Sequence, residues 1–401
     1  MAAVVFYLYE YLVRVAPSAM EQELEEAFHT SSVALAGALG AYYFVYSPIQ
    51  LLAGALFDRF GGKKVLIPAS LLVVLGCLLI SLPSANLGTL ATSRIFMGLG
   101  SGFGFIGVMY LAAMWFRPEK LALVSGLTTS LGILGALVGQ APLSWLVDAV
   151  GWRSSWAYIA LTGVLSTLAL VFFVPEISSR EWKDAAVDGA NSGTKGFLSG
   201  LLCVCKNKQT WIIGFVAGTL YAPIVTFGDL WGIQYVRLIA DVTKTEAACV
   251  VGMLFIGWLV GGPLAGYITQ KALHQRSLLM ISCVATSLIL GLIFLVPIKS
   301  QVLLGALLFA CGMASSPQVI CFVASLEANP SFAKGSSIAV VNMIVMLLGG
   351  IFQPIVGWLM HSSNAMYDVD AFRLALLSLP LLTLVGCFAA FFLAKKERAN
   401  E

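Results

Sequence analysis

Residues 54–64 read Gly54-Ala-Leu-Phe-Asp58-Arg59-Phe60-Gly61-Gly62-Lys63-Lys64 and form one short charged stretch between two long apolar runs. The apolar runs cover about residues 33–57 and 65–84. A helix needs roughly 20 apolar residues to cross the hydrocarbon core of a bilayer, and both runs reach that length. The pattern therefore predicts two membrane-spanning helices joined by a tight charged turn.

The composition extends this prediction to the whole chain. Of the 401 residues, 59% are hydrophobic and 11% are charged, and the mean hydropathy is +0.91. A soluble domain carries about 25% charged residues, so this chain has too few charges to cover its apolar surface in water. The net charge of +3 is too small to indicate a nucleic-acid partner. These values indicate a polytopic membrane protein.

Runs of similar length predict twelve spans, numbered 1 to 12 in chain order. They lie near residues 2–22, 33–57, 65–84, 87–115, 120–148, 154–174, 210–236, 246–270, 277–297, 301–326, 335–360 and 371–393. We predict an all-helical protein with an N-terminal six-helix bundle (1–174), a cytoplasmic linker (175–208) and a C-terminal six-helix bundle (209–401).

The distribution of basic residues predicts the orientation, because loops on the cytoplasmic side are enriched in Lys and Arg. With both termini in the cytoplasm, the inner loops and tail hold 16 of the 23 basic residues. The outer loops hold five: Arg153, Arg237, Lys244, Lys299 and Arg373. We therefore expect both termini on the cytoplasmic side of a bacterial inner membrane.

The two halves resemble each other in spans 5 and 11. Span 5 contains Gln140 and Trp145, and span 11 contains Gln353 and Trp358 at the same spacing. Internal repeats are common in secondary transporters, where the binding site lies between the repeats at mid-membrane. This match suggests a repeat of the same kind.

The charged stretch at 54–64 resembles the signature G-x-x-x-D-R-x-G-R-[RK] of the major facilitator superfamily. The matching residues are Gly54, Asp58, Arg59, Gly61 and Lys63, whereas Gly62 replaces the usual arginine. The resemblance implies that this loop latches the cytoplasmic ends of the bundle when the outward-facing state forms. Gly54 is expected to allow close helix approach, and Asp58 to cap or pair at a helix end.

Span 4 carries a second resemblance to this superfamily, to its motif R-x-x-x-G-x-G-x-G. The matching residues are Arg94, Gly98, Gly100 and Gly102, and the glycines are expected to allow tight helix packing. An arginine inside a span is costly, so Arg94 is a candidate for substrate binding. The alternative is that its side chain extends to the outer interface.

The resemblance implies that spans 1, 4, 7 and 10 line a central cavity, so charged residues on these spans are the main candidates. Glu10 and Arg14 lie on one face of span 1, since residues four apart are helical neighbours. The two either neutralise each other or form a switch, in which protonation of Glu10 frees Arg14 to bind a substrate carboxylate.

Span 7 contains Pro223 and Gly228 and is predicted to bend or unwind there, because proline lacks a backbone donor. Asp229 beside this break has three interpretations: it pairs with Arg94 as an outer gate, binds a substrate ammonium, or caps the broken helix. We assign Glu10 and Asp229 to proton coupling. Further candidates for substrate binding are Tyr42, Tyr43, Tyr221, Gln318, Asn342 and Gln353, with hydrogen bonding between spans as the alternative for each.

These features predict a secondary transporter with proton-coupled uptake and a monomeric state. Its substrate is expected to be a small organic anion or zwitterion: a carboxylate metabolite, an amino acid or peptide, or a carboxylate siderophore. Two arginines on the cavity spans favour an acidic substrate, because guanidinium groups bind carboxylates well. No enzymatic activity, metal or cofactor is predicted. The alternatives are a proton-driven exporter of a metabolite or drug, and a receptor that retains the fold without transport.

Overall fold

The computed structural model describes residues 1–115, 128–129, 131–176, 194–271, 275–330, 333–362 and 369–393. Every regular element in these ranges is a helix, and none of them contains a strand. The predicted all-helical membrane fold is therefore confirmed.

The first six spans are divided into the following helices. Span 1 comprises Ala2–Val15 and a 3₁₀ turn, Ala16–Ala19, and a short helix, Glu21–Phe28, follows it. Span 2 is Ser32–Phe60, span 3 is Gly62–Ser81, and span 4 comprises Leu87–Ser101 and Gly104–Trp115. Span 5 is described at 128–129 and from 131, and it ends with Ala141–Val150; span 6 is Trp152–Phe173.

A helix, Thr194–Lys206, lies in the predicted linker and precedes the last six spans. Span 7 comprises Lys208–Ala222, a π-helical segment Pro223–Trp231 and Gly232–Ala240. Spans 8 and 9 are Lys244–Lys271 and Gln275–Leu295. Span 10 comprises Gln301–Ser315, a 3₁₀ turn Ser316–Val319 and Ile320–Ala328. Span 11 is Lys334–Ser362, and span 12 comprises Val369–Leu376 and Ser378–Ala390.

Eleven helices in the described ranges are long and apolar enough to cross a membrane. They correspond to spans 2 to 12, while span 1 contributes a shorter helix of 14 residues before its 3₁₀ turn. Large apolar side chains such as Phe172 and Phe173 are 75% exposed on the outside of the bundle. Such a surface is suited to lipid and not to water.

Helical geometry is interrupted in spans 1, 4, 7 and 10. The interruptions in spans 1, 7 and 10 each contain a proline in the first two positions: Pro17, Pro223 and Pro317. Proline removes a backbone donor and crowds the preceding turn, which explains why the α-helix ends there. The predicted break in span 7 is confirmed, and span 4 breaks at Gly102 and Phe103.

Glycines set how closely the spans approach. A methyl group on Gly98 would overlap the backbone of Tyr42 in span 2, and one on Gly100 would overlap the backbone of Ala69 in span 3. The packing role predicted for the span 4 glycines is therefore confirmed. The expectation for Gly54 is wrong in this conformation, because a methyl group there would meet no atom within 4 Å.

Spans from the first six pack along spans from the last six. Span 2 contacts span 11, and span 5 contacts span 8. Near mid-bundle, the 3₁₀ turn of span 1 packs against the π-helical segment of span 7. This last contact brings together the charged residues of spans 1 and 7.

Candidate functional site

A buried ion pair joins span 1 to span 7. Arg14 Nε lies 3.3 Å from Asp229 Oδ2, and the two side chains are 2% and 0% exposed. Arg14 is the last but one residue of its helix, two residues before the start of the proline-containing turn, and Asp229 lies inside the π-helical segment. Both charges are therefore held where regular helix geometry is interrupted.

Three tyrosines complete the surroundings of this pair. The Tyr43 hydroxyl donates to Asp229 Oδ2 at 2.7 Å, and Arg14 Nη2 donates to the Tyr221 hydroxyl at 3.4 Å. The guanidinium carbon of Arg14 also lies 3.8 Å from the centroid of the Tyr11 ring. Such hydroxyls and ring faces stabilise a charge away from water. Spans 1, 2 and 7 thus supply one connected polar site.

The predicted pairing of Glu10 with Arg14 is wrong in this structure. Arg14 turns toward Asp229, and the Glu10 carboxylate instead lies against Gly104 of span 4. Glu10 is 2% exposed, and its Oε2 has no hydrogen-bond partner among the described residues. A buried carboxylate without a bound cation or donor is costly as an anion. Among the described residues, Glu10 is therefore not a member of the ion pair.

Arg94 binds backbone oxygens. Its Nη1 donates to Val13 O at 3.0 Å, its Nη2 to Arg14 O at 3.4 Å and its Nε to Leu39 O at 3.3 Å. Its side chain is buried, so extension to the outer interface is wrong. The suggested Arg94–Asp229 gate is also wrong, since Asp229 pairs with Arg14. Arg94 secures the end of span 1 that presents Arg14.

The break in span 7 is held by side chains from spans 5 and 11. Gln140 Nε2 donates to Gly228 O at 2.9 Å, and Gln353 Nε2 donates to Val225 O at 2.8 Å. Trp231 Nε1 donates to the backbone oxygen of Gln353 at 3.1 Å. A helix break frees carbonyls that need other donors, and these amides supply them.

The remaining three candidates for substrate binding make contacts elsewhere in the bundle. Asn342 Nδ2 donates to Gln50 Oε1 at 2.7 Å and joins span 11 to span 2. Tyr42 is buried beneath the Arg94 guanidinium, which lies 4.5 Å from its ring centroid. Gln318 is buried in the 3₁₀ turn of span 10. None of these three contacts the Arg14–Asp229 pair in the hydrogen bonds of the described chain.

Residues 54–64, which the resemblance predicts to act as a latch, include the turn between spans 2 and 3, and we call them the latch loop. Gly61 has φ +81°, a conformation that favours glycine, and it ends span 2. Arg59 is exposed and lies over the Phe60 ring, and Lys63 is partly exposed. Neighbouring Lys64 pairs with Glu176 at 3.1 Å on the surface. The side chain of Asp58 lies outside the described residues.

Polar contacts close the end of the bundle that is predicted to face outward. Arg237 Nη1 donates to Gln22 Oε1 at 2.7 Å, and Lys244 pairs with Glu23 and, at 2.8 Å, with Asp148. We call these five residues the outer seam. They connect the first six spans to the last six, so this seam must separate if that end is to open.

Glu21 lies beside the outer seam, in the helix that follows span 1. Burial raises the pKa of its carboxyl well above the usual range. The nearby carboxylates of Glu25 and Glu23 raise this pKa further, and Arg237 lowers it. The carboxyl therefore favours its neutral form when the seam is closed.

Sequence reasoning missed several of these contacts. Gln140 had a signal, because it matches Gln353 in the repeat. Tyr11 and Lys244 had none that distinguishes them from other polar residues in spans and outer loops. Their contacts depend on which helices pack against each other in the folded protein.

The comparisons with known proteins agree with this architecture. The sequence pattern of the Major Facilitator Superfamily matches residues 1–354. This chain belongs to the major facilitator superfamily. It is therefore a multi-pass membrane protein of a transporter family and not an enzyme.

Similar transporters of this superfamily occur in plants and bacteria. Probable anion transporter 5 of Arabidopsis thaliana is 29% identical over 151 residues, which cover 38% of this chain and 35% of that protein. Probable sulfoacetate transporter SauU of Cupriavidus necator is 22% identical over 277 residues, covering 68% and 64%. In both cases the chain spans less than two thirds of its relative.

A solved structure shows the same fold. The crystal structure of the nucleoside transporter NupG matches with a TM-score of 0.77 at 13% identity, covering 98% of this chain and 99% of the other. At this identity the likeness concerns the fold alone.

Proposed function

We propose that this superfamily member imports a small organic anion or zwitterion together with a proton. The observation that carries the proposal is the buried Arg14–Asp229 ion pair between spans 1 and 7. A guanidinium binds carboxylates strongly in a site without water, and here an internal carboxylate already occupies it. The acidic group of a substrate would take the place of Asp229 on Arg14.

Coupling to protons follows from the cost of leaving Asp229 without its partner. A buried charge that loses its counter-ion is strongly destabilising. When a simple anion displaces Asp229, a proton on Asp229 removes that cost. Glu10 Oε2 has no hydrogen-bond partner in the part of the chain that the structure describes, and Glu10 provides a second position for a proton. Tyr43 and Tyr221 are proposed to contact the substrate, because they already contact the two charges.

Alternating access would involve the predicted halves, residues 1–174 and 209–401, joined by the linker 175–208. In the proposed orientation both termini lie in the cytoplasm of a bacterium and the chain works as a monomer in the inner membrane. The excess of Lys and Arg in the predicted inner loops supports this orientation. The closed outer seam then corresponds to a state without access from outside.

A thermal-shift screen of the detergent-purified protein tests the proposal. The panel contains amino acids, dicarboxylates and tricarboxylates, sugar acids, siderophores and apolar cationic drugs. A ligand at a hundred times its Kd stabilises by about 2.7 kcal/mol. We expect an acidic hit that is lost in Arg14→Ala but kept in Arg153→Ala, an arginine in the outer loop region.

Two other outcomes would overturn the proposal. Hits confined to apolar cations, and unaffected by Arg14→Ala, would indicate an exporter. Specific acid binding without measurable flux in proteoliposomes, under either direction of pH gradient, would indicate a receptor.

A further inference from the structure

Buried acceptor oxygens without donors lie at the break of span 7. Asp229 Oδ1 and Gln140 Oε1 are both buried, and neither has a hydrogen-bond partner among the described residues. The two residues are each 1% exposed. Buried acceptors in native proteins are normally satisfied, so two of them beside the same helix break leave room for a ligand that carries several donors.

The contacts of these residues define which atoms remain open. The Gln140 amide nitrogen donates to Gly228 O, so the orientation of the amide is set and its oxygen is the free atom. Gly228 directly precedes Asp229 in the chain. Tyr43 and Arg14 both approach Asp229 Oδ2, which leaves Oδ1 as the unused carboxylate oxygen.

Charge balance restricts the ligand further. If a plain anion separates Arg14 from Asp229, it satisfies the guanidinium but leaves the carboxylate without a counter-ion. A molecule with both a carboxylate and an ammonium group satisfies both charges, because it replaces each partner of the broken pair. The three ammonium protons also match acceptors on Asp229 and Gln140.

We propose that the substrate is a zwitterion of the amino-acid type, inserted between Arg14 and Asp229. Its carboxylate binds Arg14, and its ammonium binds Asp229 and the side-chain oxygen of Gln140. This inference rests on the proposed function and specifies the substrate class of the same site. With the ammonium on Asp229, the coupled proton is carried by Glu10.

The test uses matched ligands and the full-length protein in detergent. The twenty L-amino acids are screened by thermal shift, and Kd values are measured for each hit. Three analogues of every hit are then compared: the N-acetyl form, the carboxamide and the 2-hydroxy acid. We expect at least one amino acid to bind and all three analogues to bind at least tenfold more weakly.

A pair of carboxylate variants separates the ammonium site from general effects of charge. Asp229→Asn is expected to weaken the amino acid at least tenfold. Asp241→Asn, which changes an exposed carboxylate at the end of span 7 and outside the outer seam, is expected to change its Kd less than threefold. The analogue series on the unchanged protein keeps the test decisive if Asp229→Asn does not fold.

The outcomes distinguish this inference from the proposed function. Arg14-dependent binding of a dicarboxylate or sugar acid, with no amino acid bound, overturns the zwitterion and keeps the anion importer. Equal affinity for an amino acid and its 2-hydroxy analogue also overturns it. If no acidic compound binds in an Arg14-dependent way, the proposed function itself fails.

Discussion

Gln140 and Gln353 bind the same helix break. Their amide nitrogens donate to Gly228 O and Val225 O, both in the π-helical segment of span 7. The two glutamines occupy matching positions in spans 5 and 11, where Trp145 and Trp358 also match and are both largely exposed. One repeated sequence feature thus supplies two donors to a single irregular segment, and this segment carries Asp229.

Replacing Gln353 by leucine is expected to destabilise the protein. Val225 O would lose its side-chain donor inside the bundle, and an unsatisfied buried acceptor costs about 1–3 kcal/mol. Thermal unfolding in detergent measures the effect. The control is Gln275→Leu at a partly exposed position, for which we expect a change within about 0.5 kcal/mol. Equal melting temperatures for both variants would show that the break does not need this amide.

Glu10→Gln is expected to uncouple transport from the proton gradient. The amide resembles the protonated carboxyl in shape and charge but cannot release a proton. Proteoliposomes should therefore retain exchange of labelled substrate across the membrane and lose accumulation driven by a pH gradient. Glu26→Gln, at an exposed position of the helix Glu21–Phe28, serves as the control and should accumulate substrate normally. Gradient-driven accumulation in Glu10→Gln would contradict the role of Glu10.

Glu21→Gln is expected to stabilise the protein at neutral pH. The pKa of Glu21 is raised in the folded state by burial and by the neighbouring carboxylates of Glu25 and Glu23. The folded protein thus holds this proton more tightly than the unfolded chain. Its stability consequently falls as pH rises from the ordinary glutamate pKa of about 4.3 through the raised value.

The Glu21→Gln variant has no carboxyl to titrate at this position, so this loss of stability with rising pH is absent. Its melting temperature should exceed that of the unchanged protein by several degrees at pH 7 and 8. The difference should vanish near pH 3, well below the ordinary glutamate pKa of about 4.3, where Glu21 of the unchanged protein is protonated in both the folded and the unfolded state. A difference that grows toward low pH would have the wrong sign and would reject the explanation.

Gly98→Ala and Gly54→Ala form a matched pair. A methyl group on Gly98 overlaps the Tyr42 backbone, whereas one on Gly54 meets nothing. We expect Gly98→Ala to cost about 1–3 kcal/mol through overpacking. Gly54→Ala should be neutral or stabilising by up to about 1 kcal/mol, since alanine favours helix more than glycine.

Transport measurements add a second readout for Gly54. If the latch loop packs tightly only in another conformation, Gly54→Ala should keep its stability and lose most of its flux. Full flux in Gly54→Ala would contradict the hypothesis that close packing at Gly54 is needed in another conformation.

Residue order and hydropathy determined the membrane class, the positions of the spans, the break in span 7 and the glycine packing of span 4. These properties depend on local chemistry: apolar length, the missing donor of proline and the missing side chain of glycine. The charged loop and the Arg94 motif also identified the superfamily, because these short patterns are contiguous in the chain. Whether the backbone at Gly54 packs closely against another helix was not determined in this way, since close packing there depends on the conformational state.

Only the tertiary structure decided the partners of the buried charges. The spacing of Glu10 and Arg14 shows that they share a helix face. Helix packing, however, placed Asp229 and Tyr221 against Arg14. It placed Gly104 against Glu10. Likewise, Arg94 found backbone oxygens that no residue pattern reveals. A buried charge takes the best partner that packing brings within reach, and that partner is set by contacts between residues far apart in the chain.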